Sequence, residues 1–297
     1  MKYKALFVSL CVLFLFSFAS FLTAQIAPQS AVQTPTPTPT PTSTPRQIHQ
    51  LETHFIQNVF KDQGQIWTAP FKLRNYDSKW ALPIGFVGAT LLATDRSTSR
   101  WVGQRGSLPA ISRDVSLFGQ GYSTAGVAAG FYVAGRILHN DKARETGVLA
   151  LQSFVDTAIV TEALKVSSQR LRPDSDNGSG EFWDGGSSFP SGHASSIWSV
   201  ATVIAYVYQN HPWVKYPAFA AATAVALSRY SGRKHFLSDI TAGSAIGFWI
   251  GRYVYKNYHD PNLDIPKTKS ITKLRPTFIP YYYGRTRSYG GSLNWSF

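Results

Sequence analysis

Three groups of residues in this chain have the types and spacings that chemistry needs. The first is Lys165 and Arg172, the second the turn Phe189-Pro190-Ser191-Gly192-His193, and the third Ser228, Arg229, His235 and Asp239. Pro190 fixes φ and Gly192 lets backbone approach a ligand closely, so the turn can aim N–H groups at an anion while presenting the His193 ring. His235 and Asp239 are four apart, a spacing that stacks them on one helix face, where the carboxylate can accept from one ring nitrogen and leave the other as a nucleophile. Arg229 offers a planar fork for phosphate oxygens. Lys165 and Arg172 are seven apart, close to two helical turns, so both are expected on one face at the end of a helix that Pro173 follows. Each group alone has an ordinary structural reading: cations answering a helix dipole, a common turn, a surface ion pair. Together they read as a phosphate-binding site with two catalytic histidines.

In this arrangement the sequence resembles the type 2 phosphatidic acid phosphatase and vanadium haloperoxidase superfamily. The resemblance rests on Lys165 through Pro173, then Pro190-Ser191-Gly192-His193, then Ser228 through Asp239, and covers roughly Ala81 to Tyr258. It implies that His235 attacks phosphorus and forms a phosphohistidine while Asp239 holds its tautomer. It further implies that His193 protonates the leaving oxygen and later activates water. Lys165, Arg172 and Arg229, with the Ser191 hydroxyl and the Gly192 amide, would bind the phosphoryl oxygens, and no metal or other cofactor is required. Soluble acid phosphatases of the superfamily typically carry Tyr before and Thr after Pro-Ser-Gly-His; Phe189 and Ala194 stand here, closer to the lipid-phosphatase branch. The resemblance therefore implies a metal-independent phosphatase acting on a phosphorylated lipid or small phosphate monoester. Vanadium-dependent haloperoxidase, non-specific acid phosphatase and a non-catalytic anion binder are the alternatives. His49, His54, His139, His211 and His259 form no recognisable ligand spacing and are assigned no site.

The elements that must position these residues are expected to be helical. Candidate helices run over Ala81–Thr94, Gly121–Leu138, Ala143–Arg170, Ala194–Gln209, Tyr216–Arg229 and Leu237–Tyr258, rich in Ala and Gly that let helices approach closely. The predicted fold is all-α, a bundle of about six core helices, with an extended Pro/Thr linker before it and a short β-hairpin-like tail after it. An amphipathic helix is expected over Arg46–Lys61, packed on the domain or lying on a membrane surface, followed by an irregular aromatic connector over Ile66–Phe71.

Composition sets the frame. The 297 residues carry 29 Lys+Arg against 16 Asp+Glu, with 44% hydrophobic residues, enough for one large core. Lys2 and Lys4 precede the uncharged run Ala5–Leu22, so 1–24 reads as a secretory signal, cleaved or kept as an anchor, and 25–45, with alternating Thr and Pro, as a spacer. The body is expected over 46–260 and an aromatic tail over 261–297, where Leu293, Trp295 and Phe297 alternate with polar residues as in a strand. That tail is read as docked on the body or as a tether to the envelope. The only cysteine, Cys11, lies in the leader, which removes disulfides from the account.

Charge placement argues against spanning helices, since Asp156, Glu162 and Arg252 interrupt the apolar runs and a central charge costs about 2.5–3.5 kcal/mol. Net charge, +13 or +11 without the two leader lysines, draws the chain to anionic membrane surfaces. Nothing resembles a nucleic-acid reader. Export to the periplasm or envelope, in contact with the outer membrane through the tail, is the expected location, with no expectation about oligomeric state.

Overall fold

A computed structural model describes residues 44–69, 78–103, 109–175, 178–264, 277–283 and 288–294, all within one unit, Ser43–Phe297. The predicted leader and all but the last two residues of the spacer lie outside the described residues. The fold is all-α with a small two-stranded sheet. In chain order the helices are α1 (Thr44–Thr53), α2 (Phe55–Thr68), α3 (Ser78–Gly103), α4 (Pro109–Leu117), α5 (Gly121–Ile137), α6 (Asp141–Ser168), α7 (Gly192–Val207), α8 (Pro212–Ser231) and α9 (Leu237–Tyr258). A 3-10 turn at Pro261–Asp264 and the antiparallel pair β1 (Thr277–Tyr283) and β2 (Ser288–Asn294) complete it.

Helix α7 is apolar or small on every side, and that pattern puts it at the centre: every residue from Ala194 to Ala205 is buried. Its Val200, Val203, Ile204 and Val207 meet Leu149, Ala150 and Val160 of α6, Ile250 and Val254 of α9, and Ala128 of α5. Each such side chain contributes about 1.5–3 kcal/mol on burial. The hydroxyls of Ser199 and Thr202 bond to carbonyls of their own helix, so the core holds them without unmet donors.

Two seams set the helix directions. Gly243, Gly247 and Gly251 of α9 face Ser191, Ser195 and Ser199. A Cβ on Gly243 or Gly251 would sit 2.5 Å from the carbonyl oxygen of Ser191 or Ser199, and one on Gly247 would sit closer still to that of Ser195. Both series rise together, so α7 and α9 run parallel and begin at the same end of the molecule. Helix α6 runs the other way: Thr161 Oγ1 donates to Ser195 Oγ at 3.0 Å, and a Cβ on Gly192 would sit 3.1 Å from Lys165 Nζ. The start of α7, the start of α9 and the end of α6 thus converge.

The single amphipathic helix expected over Arg46–Lys61 is two helices broken at His54, the second running through Thr68, well into the expected connector. Their inner faces are tied down by polar pairs. Arg144 forks onto Glu52 with bonds of 2.7 and 2.5 Å, and Asp62, fully buried, accepts from Gln152, Tyr253 and Tyr258. Among the described residues α6 alone is long and apolar enough to cross a membrane, and 56% of its most apolar stretch is buried inside the protein. The hairpin pairs Thr277 with Asn294 through Tyr283 with Ser288; Trp295 and Phe297 of the expected strand lie outside the described residues.

At the opposite end of α6, His259 Nδ1 lies 2.7 Å from Glu145 Oε2 and its Nε2 3.1 Å from Asp264 Oδ2. Both ring nitrogens therefore donate and the ring is an imidazolium. Burial opposes that charge, but the two carboxylates outweigh it and raise the pKa. Stability from a raised imidazole is fully present below the unfolded value of about 6.5 and is lost as pH climbs through the folded value. Urea unfolding from pH 6 to 9 should show wild type losing stability relative to His259→Gln as pH rises. A Gly247→Ala substitution should cost about 1–3 kcal/mol in the same assay, as an overpacked helix contact does.

Candidate active site

The convergence of the three helix ends gathers the residues singled out by spacing. Helix α6 stops because Gln169 adopts the left-handed conformation, φ 46°, with its N–H closing on Lys165 O. Arg172 therefore lies beyond the helix, which corrects the expectation that it shares a helical face with Lys165. It returns to the site on the loop that follows, where its Nη2 donates to Ser187 Oγ at 3.3 Å. His235 likewise precedes α9, whose N-cap is Phe236, while Asp239 stands in the first turn. These two are paired across a helix start, not stacked on a helix face.

His235 is buried, and its Nδ1 lies 2.7 Å from the carbonyl oxygen of Ser188 but 3.7 Å from Asp239 Oδ2. A carbonyl only accepts, so Nδ1 carries the hydrogen and Nε2 holds the lone pair. The tautomer expected from Asp239 is thus fixed by a backbone oxygen. Asp239 instead accepts from Ser188 Oγ, the Phe236 backbone N–H and Arg170 Nη1, at 2.5, 2.8 and 2.6 Å. Burial works against its charge, yet His235, Arg170 and Ser188 hold its pKa below the usual carboxylate range. Burial pushes His235 down, opposed by Asp239 and assisted by Arg229 and Arg172.

His193 stands in the first turn of α7 with Ser191 as N-cap. Its pKa falls to about 3, through burial first and then the charges of Arg229, His235, Lys165 and Arg172. Arg229, His235, Lys165 and Arg172, four of the residues assigned to the site by spacing, thus all act on one imidazole. Arg229 donates through one Nη to Ser116 Oγ at 2.9 Å, while its Nε, and the hydroxyl of Ser191, are buried with no protein partner. Buried donors left open beside crowded cations are what an oxyanion site presents. Metal chemistry was not expected, and the open groups here, guanidinium and hydroxyl donors, suit an anion.

Several participants escaped the sequence reading. Ser188 supplies the carbonyl on His235, Ser116 orients Arg229, and Gly119 leaves so little room that a Cβ there would lie 3.3 Å from His193 Cβ and Cδ2. Arg170 and Asp95 stand in polar stretches of the sequence, and nothing local names them as buried partners.

Residues 146–262 match the model of the PAP2 superfamily. A lipid A 1-phosphatase of Porphyromonas gingivalis is 30% identical over 97 residues, 32% of this chain and 20% of that protein. A PA-phosphatase related-family protein of Dictyostelium discoideum is 31% identical over 147 residues, 43% of this chain and 54% of that protein. The chain thus spans from a fifth to about half the length of these relatives. Among solved structures, a transmembrane PAP2-type phosphatidylglycerolphosphate phosphatase from Bacillus subtilis aligns with a TM-score of 0.49 at 19% identity, covering 65% of this chain and 98% of that one. Aquifex aeolicus LpxE aligns at 0.42 and 20% identity, covering 55% and 94%.

An anion that neutralises the surrounding cations should reverse the depression of His193. Titration of its ring by NMR with saturating inorganic phosphate should place the pKa about 1–3 pH units higher than without it. An unchanged titration would mean that phosphate binds away from His193.

Proposed function

We propose that this protein is a metal-independent phosphatase that hydrolyses phosphate esters of lipids at the cell envelope through a phosphohistidine. The observation that carries the reading is the fixed protonation of His235: a buried imidazole whose Nδ1–H is held by Ser188 O, so that Nε2 is the basic nitrogen, beside cations with unmet donors.

The reaction follows from these groups. His235 Nε2 attacks phosphorus as the bond to the ester oxygen breaks, and His193, charged once the substrate anion offsets its cationic neighbours, gives its proton to that oxygen. Lys165, Arg172, Arg229, Ser191 Oγ and the Gly192 N–H bind the phosphoryl oxygens and take up the charge that builds on them. Water then loses a proton to His193 as its oxygen attacks phosphorus. The N–P bond breaks, releasing phosphate and returning His235 to its starting tautomer.

A lipid is favoured over a soluble ester by what borders the histidine. The turn carrying Gly119 packs on His193, and its neighbours Phe118 and Tyr122 are both 70% exposed. Val166, next to Lys165, and Trp183, on the loop after Arg172, are exposed as well. Outward faces further along are apolar too: Trp213, Tyr216 and Leu227 of α8 and Val127, Val133 and Ile137 of α5. These faces support membrane association. The envelope location rests on the leader-like run Ala5–Leu22.

Phosphate release should be measured with chelator present, from short-chain phosphatidic acid, a prenyl diphosphate and a soluble monoester. Wild type is expected to hydrolyse the lipids in preference, and His235→Ala to lose at least about 10³-fold in kcat. Release from the soluble ester alone would leave a phosphatase without lipid preference. Halide oxidation requiring vanadate and peroxide, with no phosphate released, would replace the phosphatase reading.

A further inference from the structure

Outside the phosphate site, Arg170 makes four side-chain hydrogen bonds among the described residues. The left-handed turn at Gln169 directs it inward, where it is 3% exposed. Its guanidinium lies between the rings of Phe182 and Phe236, 4.7 and 4.3 Å from their centroids, and its Nε donates to Gly180 O at 3.1 Å. Nη1 donates to Asp239 Oδ1 at 2.6 Å and Ser238 Oγ at 2.7 Å; Nη2 donates to Asp95 Oδ2 at 2.8 Å.

Both ends of Arg170 lead to His235. Through the side chain, Arg170 fixes Asp239, whose other oxygen holds Ser188 Oγ and the Phe236 N–H. Through the backbone, Arg170 O accepts from the Ser188 N–H at 2.8 Å. Ser188 is therefore gripped at two points, and its remaining polar atom, the carbonyl oxygen, is the acceptor on His235 Nδ1. Asp95, buried on α3, completes the arrangement: it accepts from Arg170, and from the backbone N–H and hydroxyl of Ser238 in the first turn of α9.

Two buried carboxylates share one guanidinium here. Desolvation makes such a cluster a poor source of stability compared with apolar packing of the same volume, so its worth lies in what it orients. We propose that Arg170, backed by Asp95, is a positioning residue for the hydrolysis, holding Asp239 and Ser188 so that His235 keeps its hydrogen on Nδ1 and turns Nε2 to the substrate. This rests on the phosphatase reading above. The role needs a planar fork that reaches two carboxylates at once, which an ammonium does not supply.

Two readouts test it, one kinetic and one independent of turnover. Arg170→Lys and the same-sized Asp95→Asn should lower kcat for phosphate release about 10–100-fold, the usual effect of losing a group that orients a reacting side chain, with KM changed less than about threefold. A groove of about 500 Å³, lined by Leu92, Ala93, Arg96, Gly180 and Phe182, opens onto Arg170. Guanidinium ion added to Arg170→Ala should therefore restore at least about tenfold of the lost rate where ammonium does not. In ¹⁵N NMR, the His235 ring should be the Nδ1–H tautomer in wild type and a mixture of tautomers in Arg170→Lys and Asp95→Asn. Wild-type kcat in Arg170→Lys, a change in KM alone, or an unchanged His235 tautomer in folded variants would overturn the proposal. A tautomer shift in the variants, together with a wild type that releases no phosphate, would uphold the positioning and sink the phosphatase reading instead.

Discussion

The geometry of the site depends on how closely α7 and α9 approach. Glycines at every fourth position of α9 lie against serine carbonyls of α7, so backbone touches backbone along three successive turns. At that distance the helices have little freedom to slide, and the parallel register puts both N-termini side by side. His193 and Asp239 sit in those first turns, and His235 just before one of them. The positive ends of two helix dipoles thus face the region where Lys165, Arg172 and Arg229 already gather. Placement of the chemistry is a property of the core, although Arg172, Ser191 and His235 lie outside the helices.

The cations divide into two kinds by where they point. Burial first, and then the charges of Arg229, Lys165 and Arg172, depress the pKa of His193. Arg170, only two residues from Arg172, points the other way and is neutralised by Asp95 and Asp239. The division is made on the loop that begins at the left-handed Gln169, where Arg170 turns inward to Asp95 and Asp239 while Arg172 reaches Ser187. Without the inward carboxylates, all four charges would repel in one place.

Helix positions were legible because each core helix is a long stretch rich in apolar and small residues, and the six expected ones correspond to α3 and α5 through α9. Ends were less so. Helix α4 was missed because its nine residues carry two charges and two serines, which leaves no clear apolar period. The break at His54 has no Gly or Pro to announce it. For the site, residue types and spacing were readable because each motif is local, whereas helical phase misled twice: Arg172 and His235 are near helices, not in them. The supporting contacts were invisible for a physical reason. Arg170 meets Asp95 across 75 residues and Asp239 across 69, and Ser188 meets Asp239 across 51, and no periodicity encodes such pairs.

The polarity of the surroundings bears on substrate choice through desolvation. A phosphate entering a ring of cations trades its hydration for charge-assisted bonds, and that exchange is the same for a lipid and for a soluble ester. What differs is the remainder of the molecule. Phe118, Tyr122, Val166 and Trp183 would remain in water around a soluble ester and would be covered by the acyl or prenyl chain of the proposed lipid substrate, each 100 Å² of apolar area so removed being worth about 2.5 kcal/mol. Because the apolar border lies outside the reacting groups, this energy acts on the bound ester and the transition state alike. Uniform binding of that kind lowers KM and leaves kcat to the histidines and the cations. On the proposed function, selectivity for a lipid would be set by the exposed border and the rate of the chemical step by the buried cluster behind His235.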